Sequence, residues 1–127
     1  MITKTMAEVR LEWGDLIEQV TASAAPEHHL QIRRSRGRPK DREQAAVPVA
    51  VVVSIDWYEA LPEGRRPAES QVQSMQSSQA RAQLTAMVAA ASRGVHTKIE
   101  PYGKDPVAVL VPHDWYEAEV GSPGGDE

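Results

Sequence analysis

The segment "PVAVVVSIDWYEA" at positions 48–60 returns as "PVAVLVPHDWYEA" at positions 106–118, with ten of the thirteen residues identical. Self-similarity of this kind indicates that one supersecondary unit occurs twice in the chain. The unbroken valine run predicts a β-strand that is covered on both of its faces. Asp56 and Asp114, which follow the strand in each copy, predict the N-caps of a short helix. Each copy therefore predicts a buried strand followed directly by a helix.

The similarity extends toward the N-terminus of each copy. "HLQI" at 29–32 matches "HTKI" at 96–99 and predicts the other strand of a β-hairpin, and the two leading histidines predict a shared structural role. Before these strands, Arg10 can be set against Arg81 at a shift of 71, and the apolar residues then share the spacing i, i+4, i+7, i+8, i+11. This spacing is typical of one face of an amphipathic helix of three to four turns. The apolar positions are Val9, Trp13, Leu16, Ile17 and Val20 in the first copy, and Ala80, Leu84, Met87, Val88 and Ala91 in the second.

These elements predict an α+β fold with two modules of the order β-α-β-β-α, at residues 1–61 and 72–120. Residues 62–71 between the modules are rich in proline, glycine and charge, and predict a linker. Residues 121–127, "GSPGGDE", predict a disordered tail. The two copies align at a shift of 67 before the hairpin turn and 58 after it, so the first hairpin carries nine extra residues, within a basic insertion at 33–44.

The order of these elements resembles the DNA-binding module of Phd/YefM-type antitoxins. "AEVRLEWGDLIEQV" at 7–20 and the hairpin ending "PVAVVVSIDWYEAL" carry the resemblance in the first copy, and "SSQARAQLTAMVAAA" at 77–91 with "PVAVLVPHDWYEA" carries it in the second. The resemblance implies a module that dimerises through its sheet, binds operator DNA and represses its own operon. Two modules in one chain can pair with each other, so we expect a pseudo-dimer, and further pairing into a homodimer stays open.

The resemblance also implies which helix residues contact double-stranded DNA. In the family, an arginine near the start of the first helix lies on the DNA side, and by position this is Arg10 in the first copy and Arg81 in the second. Lys4 is nearby in the first strand. The alternative, in which both arginines are ordinary solvated helix residues, stays open at this point.

Positive charge is concentrated in "IRRSRGRPKDREQ" at 32–44, although the chain has a net charge of -4. Neutralisation of phosphates by this segment would make DNA binding sensitive to salt. "RGRPK" at 36–40 resembles the core of an AT-hook, in which glycine permits close approach, proline favours extension and arginines enter a narrow minor groove. Minor-groove insertion, plain phosphate contact and an uninvolved solvated loop are the three interpretations. The segment supplies these candidate DNA-binding residues: Arg33, Arg34, Arg36, Gly37, Arg38, Lys40 and Arg42.

Other classes of function find little support in the sequence. The absence of cysteine and of a long apolar run predicts a cytoplasmic protein without a membrane partner. The four histidines have no metal-ligand spacing, and no nucleophile or phosphate-loop motif occurs, so we predict neither an enzyme nor a cofactor. The leading hypothesis is a sequence-specific DNA-binding transcriptional regulator. The alternative is an antitoxin or inhibitor that neutralises a toxin or other protein; because only nine residues follow Ala118, the linker or the tail would have to bind it.

Overall fold

A six-stranded mixed sheet organises the computed structural model, which describes residues 2–22, 28–34, 47–62, 65, 67–101 and 105–120. With helices beside it, the fold is α+β, as the sequence predicts. A 3-10 turn at Glu69–Gln71 precedes the fourth strand. In chain order the elements are β1 (Ile2–Thr5), α1 (Met6–Leu11), α2 (Trp13–Thr21), β2 (Leu30–Arg34), β3 (Val47–Ser54), α3 (Ile55–Glu59), β4 (Val72–Gln76), α4 (Ser77–Ala82), α5 (Leu84–Ala91), β5 (His96–Glu100), β6 (Ala108–Pro112) and α6 (His113–Val120).

The strands lie in the order β1-β2-β3-β6-β5-β4. Each half contributes one edge strand that pairs in parallel with its neighbour, followed by an antiparallel hairpin. The halves meet where β3 pairs antiparallel with β6, in a register that sets Val51 opposite Val111 and Val53 opposite Val109. Val52 and Leu110, which are equivalent in the sequence repeat, face each other at the centre. The pairing of β3 with β6 is therefore symmetric, because replacing each residue by its equivalent in the other half gives the same set of pairs.

Both faces of the central strands are buried. On one face Ala50 and Val52 pack against α1, α2, α4 and α5, and on the other Val51 and Val53 pack against α3 and α6; all four residues are 0% exposed. Alternate side chains of a strand point to opposite faces, so a strand covered on both sides needs apolar residues at successive positions. The prediction of a strand covered on both faces is confirmed.

The long helix predicted in each half is interrupted, so this part of the prediction is wrong. The interruption falls at Glu12, with φ −108° and ψ 21°, and at the equivalent Gln83, with φ −109° and ψ 28°. The N–H of Glu12 still donates to the Glu8 carbonyl at 2.9 Å, its own carbonyl accepts from the Leu16 N–H at 2.9 Å, and equivalent bonds flank Gln83. The hydrogen-bond ladder thus continues through a distortion of one residue, which the apolar spacing does not reveal.

The predicted N-caps after the valine strands are also wrong. The N-cap of α3 is Ser54, whose hydroxyl oxygen accepts from the backbone N–H of Trp57 at 3.1 Å. Asp56 lies within the first turn of α3, and Asp114 lies within the first turn of α6. The strand runs into the helix without a turn, so the helix begins before the carboxylate. In the first turn each carboxylate still interacts favourably with the helix dipole.

A capping box formed by Thr5 and Glu8, which the apolar spacing does not indicate, begins α1. The Thr5 hydroxyl oxygen accepts from the Glu8 N–H at 3.3 Å, and the Glu8 carboxylate accepts from the Thr5 N–H at 2.9 Å. This backbone hydrogen bond lowers the pKa of Glu8. The pair satisfies two backbone donors that a helix start leaves unpaired, and so fixes where β1 ends.

The segment between α3 and β4 is held against α6 at one point. The Arg65 guanidinium lies 3.3 Å from the Glu119 carboxylate, and the Trp115 indole N–H donates to the Arg65 carbonyl at 3.3 Å. Most of the basic insertion and the whole of the predicted tail lie outside the described residues. None of the helices in the described part of the chain has the length and apolar character needed to cross a membrane.

Candidate nucleic-acid interface

The two predicted helix arginines, 71 positions apart in the sequence, are neighbours in the structure. The Arg81 Nε donates to the backbone carbonyl of Arg10 at 2.9 Å. The Arg10 guanidinium donates to the hydroxyl of Thr85. Both arginines are exposed. We refer to Arg10 and Arg81 together as the arginine pair, which joins one cation from each half on a single helical surface.

Buried residues fix the backbone under the arginine pair. Val9 and Ala80, which directly precede the two arginines, are both 0% exposed within the core. Consecutive residues of an α-helix point about 100° apart, so a buried residue at one position sets the next residue at the flank of the helix. Trp13 is buried as well, and its indole N–H donates to the Ser77 hydroxyl at 2.9 Å, from the first half to the second.

The course of the helices explains why the arginines meet. β1 ends beside β2, with Thr5 opposite Arg33, and β4 ends beside β5, with Gln76 opposite Glu100. Because β3 and β6 are antiparallel, these two strand ends lie at opposite ends of the sheet. Helices α1 and α4 therefore start at opposite ends and approach each other over the middle of the sheet. The arginine pair lies at this meeting point, and the basic segment leaves the sheet at the end where α1 begins.

Charge is distributed unevenly over the helices around the arginine pair. Residues 77–92, which include α4 and α5, have Arg81 as their one charged residue. Residues 6–21 contain Arg10 and four acidic residues, which are Glu8, Glu12, Asp15 and Glu18. An approaching phosphate is therefore repelled less over α4 and α5 than over α1 and α2.

Among the described residues, Lys4 has an ion pair with Glu12 and no hydrogen bond to Arg10 or Arg81. Its ammonium lies 3.3 Å from the Glu12 carboxylate, and its side chain is 29% exposed. An ion pair at the surface that is still partly exposed contributes at most about 1 kcal/mol, so the ammonium can exchange Glu12 for a phosphate at little cost. The predicted role of Lys4 in DNA binding stays a prediction.

The basic insertion is described only at its first two arginines. The Arg33 Nε donates to the Gln31 side-chain carbonyl at 2.8 Å, while Arg34 is exposed at the end of β2. Both therefore lie at the point where the insertion leaves the sheet. The remaining candidates of the insertion lie outside the described residues; they are Arg36, Gly37, Arg38, Lys40 and Arg42.

Arg34 also borders a cleft of about 630 Å³ that reaches the start of β5 and the start of α6. Its lining is mainly apolar, with His96, His113 and Asp114 as further polar groups. His113 lies 3.5 Å from the Asp114 carboxylate and 3.6 Å from that of Glu117. Within the described part of the chain, no group of three or more ligating side chains could hold a metal ion.

The two buried histidines bind tyrosines of the opposite half. The His29 Nδ1 lies 2.7 Å from the Tyr116 hydroxyl, and the His96 Nδ1 lies 3.1 Å from the Tyr58 hydroxyl. The shared structural role predicted for the histidines is thereby confirmed, but their tyrosine partners could not be found from spacing alone. These two bonds tie each half to the helix of the other.

Tryptophan rings cover the histidine and tyrosine side chains. Trp57 packs edge-to-face on His29 at 5.0 Å between ring centroids, and Trp115 packs in the same way on His96 at 4.7 Å. Burial lowers the pKa of His96 to about 4. Burial, followed by the charge of Glu117, raises the pKa of Tyr116 to about 12. At neutral pH His96 and Tyr116 are therefore uncharged, which suits a structural rather than a phosphate-binding role.

Comparison of the chain with known proteins identifies no relative. No family model matches the chain, and neither a curated protein nor a solved structure does. Function is therefore inferred from the residues and their placement alone.

Proposed function

We propose that the chain is a sequence-specific DNA-binding transcriptional regulator of the Phd/YefM antitoxin type, which represses its own operon. The observation that carries the proposal is the arginine pair, which brings one exposed cation from each half to the same surface. Guanidinium groups are well suited to phosphates and to the base edges of guanine. The arrangement of two similar modules paired through β3 and β6 would match a pseudo-palindromic operator, as dimeric repressors do.

The proposal assigns different tasks to the two kinds of basic residue. The arginine pair would contact the duplex at the centre of the helical surface. The basic insertion would reach along the DNA from one end of the sheet, because the second hairpin has "EPYGKDP" in the matching place and almost no positive charge. The result is a reader with one pseudo-symmetric contact and one contact on a single side.

Fluorescence anisotropy across a salt series tests the central contact, with labelled DNA from the region upstream of the coding sequence. The variant Arg10→Ala/Arg81→Ala removes both guanidinium groups. Each lost phosphate contact lowers the slope of log K against log salt by about 0.9, so we expect a slope smaller by about 2 and binding weaker by roughly tenfold or more.

Arg93→Ala is the matched control, because Arg93 is exposed and lies in the turn after α5, at the opposite end of that helix from Arg81. We expect its affinity to stay within about twofold of the wild type. Equal losses in the control and in the double variant would show a general charge effect and contradict the assignment. Binding no tighter than to unrelated DNA would overturn the proposal and favour the protein-inhibitor alternative, which co-purification of a small partner would test.

The insertion is tested by changing the DNA beside the central site. Inosine·cytosine pairs keep the minor groove free of the guanine amino group, whereas guanine·cytosine pairs place that group in it. If Arg36 and Arg38 enter the minor groove, A·T and I·C flanks will bind equally and G·C flanks will bind more weakly. The variant Arg36→Ala/Arg38→Ala should abolish this difference. Equal binding to all three flanks would exclude minor-groove insertion; a smaller salt slope in the variant would then indicate phosphate contact, and an unchanged slope an uninvolved loop.

A further inference from the structure

The two edges of the sheet are formed by equivalent strands with different protection. In β1, Lys4 projects a charge that pairs with Glu12. At the shift of 71 the residues equivalent to Lys4 and Glu12 are Met75 and Gln83, so the second edge has neither of these two charges. β4 as a whole reads "VQSMQ", with neither a charge nor a proline. Natural sheets protect their edges with charged residues, above all lysine, and with proline, so β1 is protected and β4 is not.

β4 is a regular strand at the end of the described sheet, and its Gln73, Ser74 and Gln76 side chains are exposed. Its inner edge pairs with β5 along all five residues, from Val72 opposite His96 to Gln76 opposite Glu100. The Gln73 side-chain N–H also donates to the Thr97 hydroxyl at 3.0 Å. Among the described strands none lies beyond β4. Alternate N–H and C=O groups of an edge strand point away from the sheet, so β4 presents them in a conformation that needs no further ordering on pairing.

We propose that β4 is an interface at which a second copy of this chain binds, by antiparallel pairing of the two β4 strands about an axis at Ser74. In this register Val72 faces Gln76 of the second copy, Gln73 faces Met75, and no charge meets a like charge. The same pairing at β1 would bring Lys4 of both copies close together, which is unfavourable. The two six-stranded sheets would then form one continuous sheet.

The size of the edge limits the strength of this interface. A ladder of five residues on each side buries less than the roughly 1,000 Å² typical of a stable protein interface, so we expect dissociation constants in the micromolar range or weaker. The proposed interface involves only residues of β4 and none of the candidate DNA-binding residues, so it does not depend on DNA binding.

Sedimentation velocity of the full chain over a concentration series tests the association. The variant Ser74→Lys sets two lysines opposite each other at the proposed axis, and Thr3→Lys changes the equivalent exposed residue of β1. We expect the average mass of the wild type and of Thr3→Lys to rise with concentration, and that of Ser74→Lys to stay at the monomer value. A wild type that remains monomeric at several hundred micromolar, or equal behaviour of the two lysine variants, would overturn the proposal.

A chemical test locates the interface, because the chain contains no cysteine. Residues directly opposite in an antiparallel pair have Cα atoms about 4.5–5.5 Å apart, within the range that a disulfide spans. Ser74→Cys should therefore form a covalent dimer under mild oxidation, while Thr3→Cys should remain monomeric. Circular dichroism checks that both variants fold. Cross-linking of Thr3→Cys but not of Ser74→Cys would assign the interface to β1 and contradict the proposal.

Discussion

The two halves of the molecule share their buried contacts and differ in their charges. Both place a valine-rich strand at the centre, both interrupt the helix at the same position, and both bind a histidine to a tyrosine of the other half. The first half carries four acidic residues within positions 6–21 and the basic insertion, whereas the second half has Arg81 as the one charged residue of positions 77–92. The buried contacts are thus the same in the two halves, whereas their surface charges differ and are suited to different contacts.

The largest expected effect is a loss of folding, caused by substitutions in the interior that both halves share. Val51 and Val109 are equivalent and 0% exposed, in the central strands of the sheet. A carboxylate there without a partner costs several kcal/mol, which approaches the total stability of a small domain, about 5–15 kcal/mol. We expect Val51→Asp and Val109→Asp each to prevent folding, as judged by circular dichroism. If one variant folds normally and the other does not, the interiors of the halves differ in a way that the structure does not indicate.

A smaller effect concerns the buried histidine of the second half. Because burial lowers the pKa of His96 to about 4 from the usual 6.5 of a histidine, the unfolded chain binds a proton that the folded chain excludes between these values. The contribution of His96 to the free energy of unfolding is therefore complete above about pH 6.5 and is lost as the pH drops toward 4, by up to about 3 kcal/mol. Thermal unfolding at a series of pH values measures the loss.

His96→Gln is the control for this pH dependence, because glutamine has no charge to gain and can still bind the Tyr58 hydroxyl. The variant should lose stability less steeply between pH 6.5 and 4 than the wild type. A slope identical to that of the wild type would assign the acid sensitivity to other groups.

The smallest expected effect on stability comes from giving the β1 edge the residues of the β4 edge. Lys4→Met/Glu12→Gln gives the first half the residues found at the equivalent positions 75 and 83 of the second and removes a partly exposed ion pair. Such pairs contribute 0–1 kcal/mol, so urea unfolding should show a change of less than about 1 kcal/mol. Assemblies larger than a dimer should form in sedimentation velocity, because both edges are then unprotected. A stability loss well above this value would show that Lys4 and Glu12 hold the edge in place.

The sequence predicted the features that depend on local pattern. The valine strands, the helical positions of Val9 and Ala80 and the shared role of the histidines follow from spacing and repetition. The break at Glu12 does not, because the helical hydrogen bonds continue through it. Ser54 was missed as the N-cap because the strand runs into the helix without a turn, although the Thr5 and Glu8 capping box was visible in the sequence.

The candidate site depended on tertiary structure that no local pattern contains. Arg10 and Arg81 could be named from their places in the repeat, but their contact depends on the antiparallel pairing of β3 with β6. The tyrosine partners of His29 and His96 depend on the same pairing. Equivalent positions could be identified from the repeat, whereas contacts between the halves required the strand order.

The pairing of β3 with β6 within one polypeptide also determines the kinetics of the central sheet. Two separate modules would meet in a second-order reaction and fall apart on dilution, whereas modules joined by a short segment meet at a fixed effective concentration. The β3–β6 pairing therefore does not depend on protein concentration, and its halves cannot be exchanged with those of another molecule unless the sheet opens. A substitution in one half alters one side of every molecule, so each side of the surface can change independently of the other.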